Sequence, residues 1–213
     1  MKIIVVANVE QQEEIASKVT NPDAALVFVK SFAETNLNEN FEAIFHLSES
    51  QDDMDIEKLE EKPVFINSVI ETLEQKKLPL NISRINGWPG FLQGQTWEVA
   101  SNNQFIAGKV FESLHWNTVF VKDDPGFVAP RVLCMIINEA YFALEEGIST
   151  PGEIDLAMKL GTNYPYGPFE WENRIGLQNV YRLLKTLSAK DKRYSVSPLL
   201  EKKYSDHISS EKK

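Results

Sequence analysis

Few residues of this chain are histidines or cysteines, the side chains that titrate nearest neutral pH and bind transition metals. Its 213 residues include three histidines, His46, His115 and His207, and a single cysteine, Cys134. No pair of histidines has metal-ligand spacing, and Cys134 is remote in sequence from all three, so no metal site is expected. His46 ends an apolar run, His115 lies in SLHWNT ahead of another, and His207 sits in a polar tail; these placements suit structural or surface roles better than a general base. Cys134, within an apolar stretch, reads as a buried, inert thiol with no partner for an internal disulfide. The remaining chemistry would begin at KIIVVANVEQQEEIA, residues 2–16. A buried strand, a tight turn and an amphipathic helix open many nucleotide-binding α/β domains. Here the turn holds no glycine, the residue that lets backbone approach a phosphate.

The elements that must position these residues change character along the chain. Strands are expected at Lys2–Val6, Ala25–Val29, Phe41–Leu47 and Pro63–Asn67, with weaker signals at Trp97–Ala100 and Thr118–Val121 and a helix at Gln11–Val19. Short β-rich runs between polar or helical segments imply a mostly parallel sheet flanked by helices. After DDPG the pattern turns helical. Phe127–Glu146 carries Val128, Val132, Met135, Ile136 and Leu144 around much of its circumference and is expected to be a central, largely buried helix ended by Gly147. Thr150–Glu153, TPGE, is a capping box for a helix running to Leu160 and stopping at Gly161; another is expected at about Leu177–Leu187. The tail from Ser188 is polar, with Leu199 and Leu200 as anchors. The fold class expected is α/β plus all-α, with residues 1–122 as a sheet domain and 123–213 as a helical one.

Composition narrows the classes of function. Apolar residues make up 43% and charged residues 25%, ordinary for a globular protein with a real core. No segment suggests a signal peptide or a membrane span, and with one cysteine the expected compartment is the cytoplasm. The net charge is −9, and residues 1–122 hold 18 acids against 10 bases. Nothing forms a basic patch, so nucleic acid is not an expected partner.

The second half carries a specific resemblance. DDPGFVAPRVL, NEAYFALEEGISTPGEIDLAMKLGTNYPYGPFEW and IGLQNVYRLLKTL are similar, in order and spacing, to the C-terminal domain of 3-hydroxyacyl-CoA dehydrogenases. In the first half RINGWPGFLQGQTWEVASNN resembles the stretch around that family's catalytic histidine and glutamate. The resemblance implies a Rossmann-like sheet domain, here shortened, followed by a helical domain that forms a homodimer. It also implies NAD as cofactor and 3-hydroxyacyl-CoA thioesters of fatty-acid β-oxidation as substrates.

Laid on this sequence, the family's positions are mostly changed. The three glycines of its G-x-G-x-x-G turn fall on Ala7, Val9 and Gln12. Val9 puts a branched side chain where phosphate would sit, and Glu10, Glu13 and Glu14 crowd the helix start, where they can satisfy its free N–H groups internally. Lys30 stands in place of the acid that holds the ribose. Glu98 keeps the catalytic glutamate position, while Asn86 replaces the histidine; an amide takes no proton near neutral pH. Pro89 and Pro130 replace two family asparagines, Asn67 is retained as a substrate-side residue, and Val69 stands in place of a serine.

Three functions follow. The chain is a non-catalytic family member that binds no NAD. Alternatively it is an active dehydrogenase that brings His46 or His115 to Glu98. Or it is a module that binds acyl-CoA or a protein, with Trp88, Phe91, Trp97 and Trp116 as aromatic surface or, more simply, as core.

Overall fold

In the computed structural model, which describes all residues except 19, 20, 38, 52, 53, 60, 61, 212 and 213, the apolar runs form one sheet. Its strands are β1 (Lys2–Val6), β2 (Ala25–Val29), β3 (Ala43–His46), β4 (Val64–Asn67), β5 (Ile82–Ile85), β6 (Thr96–Ser101) and β7 (Asn117–Phe120). They lie in the order β2-β1-β3-β4-β5-β6-β7, and every pairing is parallel except that of β5 with β6. Helices α1 (Val9–Ala16), α2 (Leu73–Lys76) and α3 (Gln104–Ser113) complete this half.

The central strands are apolar on both sides because both faces are covered. Ile3, Val5, Phe45 and Phe65 join Ile15 of α1 and Ala107, Val110 and Phe111 of α3 in one cluster. Ile4, Val6, Ile44 and Ile66 join Phe32, Leu59 and Leu73 in another. Phe45 stacks on Phe65 with ring centroids 4.6 Å apart, and Trp97 stacks on Trp116 at 5.2 Å. Burial of each such side chain contributes about 1.5–3 kcal/mol. Trp88, Trp97 and Trp116 are thus interior residues, while Phe91 is half-buried.

Two elements of this half go beyond the sequence expectation. β5, ISRI, buries all four of its residues, including Ser83 and Arg84, so its apolar pattern is interrupted by polar groups with partners inside. Ser83 Oγ, for example, donates to Ser101 Oγ at 2.8 Å. Helix α3 supplies the crossover between β6 and β7. The helix expected at Gln11–Val19 begins two residues earlier, because Asn8 caps it, and ends at Ala16; Val19 lies outside the described residues.

The chain divides into two compact units, Met1–Phe127 and Val128–Lys213. The DDPGF segment belongs to the first. Asp123 pairs with Arg84, the Phe127 ring lies 4.4 Å from the Arg84 guanidinium, and Gly126 N–H donates to the Val69 carbonyl at 2.8 Å.

The second unit comprises α4 (Ala129–Glu145), α5 (Pro151–Thr162), α6 (Pro168–Ile175), α7 (Leu177–Ser188) and α8 (Pro198–Glu211). α4 packs against α6, α7 and α8. Its buried stripe is Leu133, Cys134, Ile137, Ala140 and Tyr141, whereas Val128 and Val132 are 56% and 52% exposed. The expectation of a helix buried around most of its girth is therefore corrected: within one chain a single face is covered. Burial pushes the Cys134 thiol pKa well up, which keeps it inert.

Helix ends follow local chemistry. Gly147, at φ +69°, closes α4 with N–H donation to the Leu144 carbonyl, and the Thr150/Glu153 capping box opens α5. α5 runs past Gly161 to Thr162, and Asn163 takes the left-handed position instead (φ 56°). The polar tail folds as α8, with Leu200 fully buried and Tyr204 stacked on Tyr181 at 4.0 Å.

Asp155 ties α5 to α6, accepting the Phe169 N–H at 2.8 Å; burial raises its carboxyl pKa. A Cβ on Gly167 would lie 2.3–2.4 Å from Asp155 Oδ1, Cα and Cβ. Gly167→Ala is expected to cost about 1–3 kcal/mol, as overpacking against fixed atoms does, measurable by urea denaturation.

Candidate functional site

The crevice beyond the carboxyl ends of parallel strands is where open α/β sheets take ligands. Here that edge is occupied by amide side chains. Ala7 is fully buried, and its N–H donates to the Val29 carbonyl at 3.0 Å. Asn8 caps α1 reciprocally with Gln11. Asn8 Oδ1 accepts the Gln11 N–H at 2.9 Å, and Gln11 Oε1 accepts the Asn8 N–H at 3.1 Å. Gln11 Nε2 then donates to the carbonyls of Leu47 and Gly87, at 2.9 and 3.0 Å, linking the helix start to the ends of β3 and β5. Gln12 Nε2 donates back to the Ala7 carbonyl at 2.8 Å. Val9 is 63% exposed.

Of the three glutamates, Glu14 departs from the part expected of it. Glu10 and Glu13 are exposed. Glu14 turns away from the helix start and accepts the N–H groups of Gly90 (2.6 Å) and Leu92 (3.1 Å). Lys18, just past the helix, donates to the Gly94 carbonyl, and burial lowers its pKa. Gln11, Glu14 and Lys18 thus lace the segment 87–94 along one flank of α1, as their helical spacing allows.

Asn67 completes the bracket. It is 4% exposed; Nδ2 donates to the Leu47 carbonyl at 3.1 Å and Oδ1 accepts the Gly87 N–H at 3.1 Å. A Cβ on Gly87 would stand 2.8 Å from Asn67 Cβ and Cγ, so only glycine fits that approach without a shift. Both polar ends of Asn67 are engaged in holding strand ends together.

The register of β5 and β6, which pairs Ile85 with Val99, carries Asn86 to the position across from Glu98. Asn86 is 6% exposed, and its Oδ1 accepts the Trp88 N–H at 3.4 Å. Glu98 is half-buried on β6. A carboxylate opposite an amide can orient a dipole, but this pair contains no imidazole to relay a proton. Pro89 is half-buried in the same segment, and Val69 is buried after β4. Lys30 is exposed, and its backbone N–H donates to Glu34 Oε2 at 3.1 Å. Pro130 is buried in the first turn of α4, where a missing N–H costs nothing.

The histidines lie elsewhere in this scaffold. His46 is fully buried at the end of β3, its ring 5.9 Å from that of Phe32. His115 is exposed in the turn before β7, at φ 61°. His207 is on α8, with Nε2 3.1 Å from Gln178 Nε2. Among the described residues no three His, Cys, Asp or Glu side chains gather as metal ligands.

Sequence reasoning missed Arg84. It is completely buried. Its Nε donates to Asp123, Nη1 to the carbonyls of Ser68 (2.9 Å) and Val69 (3.3 Å), and Nη2 to the carbonyl of Asp124. Asp123 also accepts the Leu73 N–H at 2.9 Å, at the start of α2. One guanidinium thereby holds both the segment after β4 and the DDPGF segment. The only sequence signal is an arginine inside an otherwise strand-like run.

Comparison with known proteins bears on the second unit first. Residues 126–213 match the family model described as 3-hydroxyacyl-CoA dehydrogenase, C-terminal domain. Residues 126–213 thus resemble the C-terminal domain of that family. Over 67 residues it is 48% identical to the 3-hydroxyadipyl-CoA dehydrogenase of Escherichia coli K12, a match covering 32% of this chain and 14% of that protein. Over 93 residues it is 41% identical to a probable 3-hydroxybutyryl-CoA dehydrogenase of Bacillus subtilis, covering 43% and 32%. The matches thus span under half the length of these curated relatives. In fold, the chain is similar to the (S)-3-hydroxybutyryl-CoA dehydrogenase of Ralstonia eutropha, with a TM-score of 0.69 over 97% of this chain and 93% of that one, at 19% identity. At that identity the likeness is one of fold, and it takes in the sheet unit as well as the helical one. Among the described residues, no helix is long and apolar enough to cross a membrane.

Proposed function

We propose that this chain is a non-catalytic relative of the 3-hydroxyacyl-CoA dehydrogenases that binds no nicotinamide dinucleotide. The observation that carries this is the Gln11 side chain, which spans from the helix start to the carbonyls of Leu47 and Gly87. A pyrophosphate seated at the start of α1 would have to displace that amide and unlace Asn67 and Glu14 from the 87–94 segment. The residues present do not fit the family cofactor, and no hydride-transfer step is derived for them. Asn86 across from Glu98 supports the same reading, since the pair contains no imidazole to take a proton from substrate.

Calorimetric titration with NADH is expected to give no saturable heat up to about 1 mM, where binding energy falls to about 4 kcal/mol. In parallel, acetoacetyl-CoA with NADH is expected to turn over no faster than buffer alone. A micromolar dissociation constant for NADH would overturn the proposal.

The same reading includes self-association through α4. The uncovered side of that helix carries Val128 and Val132, with Met135 and Ile136 half-exposed beside them. A second copy would cover this stripe.

A further inference from the structure

The helical unit contains a cavity of about 460 Å³. One part of its lining is apolar, with Leu144 from α4, Pro151 at the start of α5, Phe169 from α6 and Leu199 from α8, and Asn173 of α6 is a polar member. Into it project Tyr141 and Lys203, joined behind the wall by Glu172. Tyr141 Oη donates to Glu172 Oε2. Lys203 Nζ donates to Tyr141 Oη at 2.6 Å and to Glu172 Oε1 at 2.7 Å. Glu172 is 3% exposed, whereas the Lys203 side chain is 49% exposed.

A helix bundle gains little stability from a carboxylate placed this deep, because apolar residues of similar volume often serve as well or better. What the cluster does provide is a fixed donor. An ammonium group has three N–H bonds; two of those on Lys203 are committed, and the group lines the cavity. Lys202 lines the same cavity on the next position of α8, and Asp206 one turn further on. Glu172 and Asp206 offset the two lysines, so the lining carries no large positive excess. That balance suits a single anionic head and opposes a polyphosphate.

We infer that this cavity is a binding site for a small monocarboxylate with an apolar body, its carboxylate held by Lys203 and Lys202 and its body lying against Leu144, Phe169 and Leu199. Apolar enclosure with a few placed donors is the usual make-up of a small-molecule site, and the volume is within the usual range. The inference does not rest on the loss of dehydrogenase activity, since every residue it uses lies in the helical unit.

The test uses the full chain and octanoate, followed by calorimetry and by methyl chemical shifts of Leu144 and Leu199. Saturable binding is expected with a dissociation constant of about 0.1–1 mM, reasonable for so few atoms. Octanol, with the same tail and no charge, is expected to bind at least about tenfold more weakly. Removing Lys203 alone would strand Glu172 in the interior, so the paired variant Glu172→Gln/Lys203→Met is used; it is expected to lose octanoate binding while keeping its thermal transition. Leu199→Trp, which fills the cavity without touching the charges, is expected to lose it too. Absence of saturable binding to the unaltered chain overturns the inference. So does octanoate affinity unchanged in the paired variant or in Leu199→Trp, or octanol binding as tightly as octanoate.

Discussion

An Arg84→Met variant is expected to lose about 3–5 kcal/mol of unfolding free energy, the usual consequence of removing one partner from a buried ion pair. Arg84 is completely buried and donates to Asp123 and to the carbonyls of Ser68, Val69 and Asp124. Methionine fills much of the space but leaves those acceptors without their donor, and each buried acceptor left unmatched costs on the order of 1 kcal/mol or more. Asp123→Asn is expected to cost less, about 1–3 kcal/mol, because the guanidinium keeps its carbonyl partners. Arg84→Lys should fall between them, since an ammonium keeps the charge but cannot reproduce the planar fork. Urea unfolding followed by tryptophan fluorescence in a Trp171→Phe background reads this, as Trp88, Trp97 and Trp116 all lie in the sheet unit and Trp171 in the helical one. A loss below about 1 kcal/mol for Arg84→Met would show that the clamp does not hold that unit together.

The fold was legible wherever burial alone dictated residue type. β1 falls on the boundaries its apolar run implies, and β3 and β4 lie within theirs, because strands covered on both faces admit little but branched and aromatic side chains; β2, at the sheet edge and only partly buried, matches its run through β-branched and aromatic residues that favour strand. β5 was not legible. Its inward polar groups are satisfied by residues distant in sequence, Ser101 and Asp123, and no local pattern announces such partners. α8 was hidden for a related reason. Its surface is mostly polar, and it is held by few contacts, among them Leu200 in the core and Asn138 bridging Ser195 and Ser197 ahead of it.

At the candidate site, the residue types were legible in the sequence but their partners were not. The lack of glycine at Ala7 and Val9 is plain in the sequence, which leads one to expect Glu10, Glu13 and Glu14 to satisfy the N–H groups of the helix start. The structure instead closes the strand ends with neutral amides, Asn8, Gln11 and Asn67. The N-x-x-Q spacing at Asn8–Gln11 is a capping signal that was available. The reach of Gln11 to Leu47 and Gly87 was not, because it depends on where two distant loops return.

The largest effect on assembly is expected from Val132→Asp. Val128, Val132, Met135 and Ile136 follow the i, i+4, i+7, i+8 spacing of one helical face. That face is distinct from the buried stripe through Leu133, Ile137 and Tyr141. On an isolated chain it leaves two valines more than half exposed, and a second copy presenting the same stripe would bury both sets symmetrically. Light scattering of the unaltered chain at micromolar concentration is then expected to give about twice the 24.2 kDa chain mass. An aspartate at 132 would be forced into that apolar contact without a partner, a cost of about 3 kcal/mol or more, enough to weaken association at least about a hundredfold. The variant should scatter as a single chain while keeping its helical circular dichroism, because the substituted position faces away from the core of its own unit. A single-chain mass for the unaltered protein, or a Val132→Asp variant that still runs as a dimer, would place the α4 stripe outside any self-association.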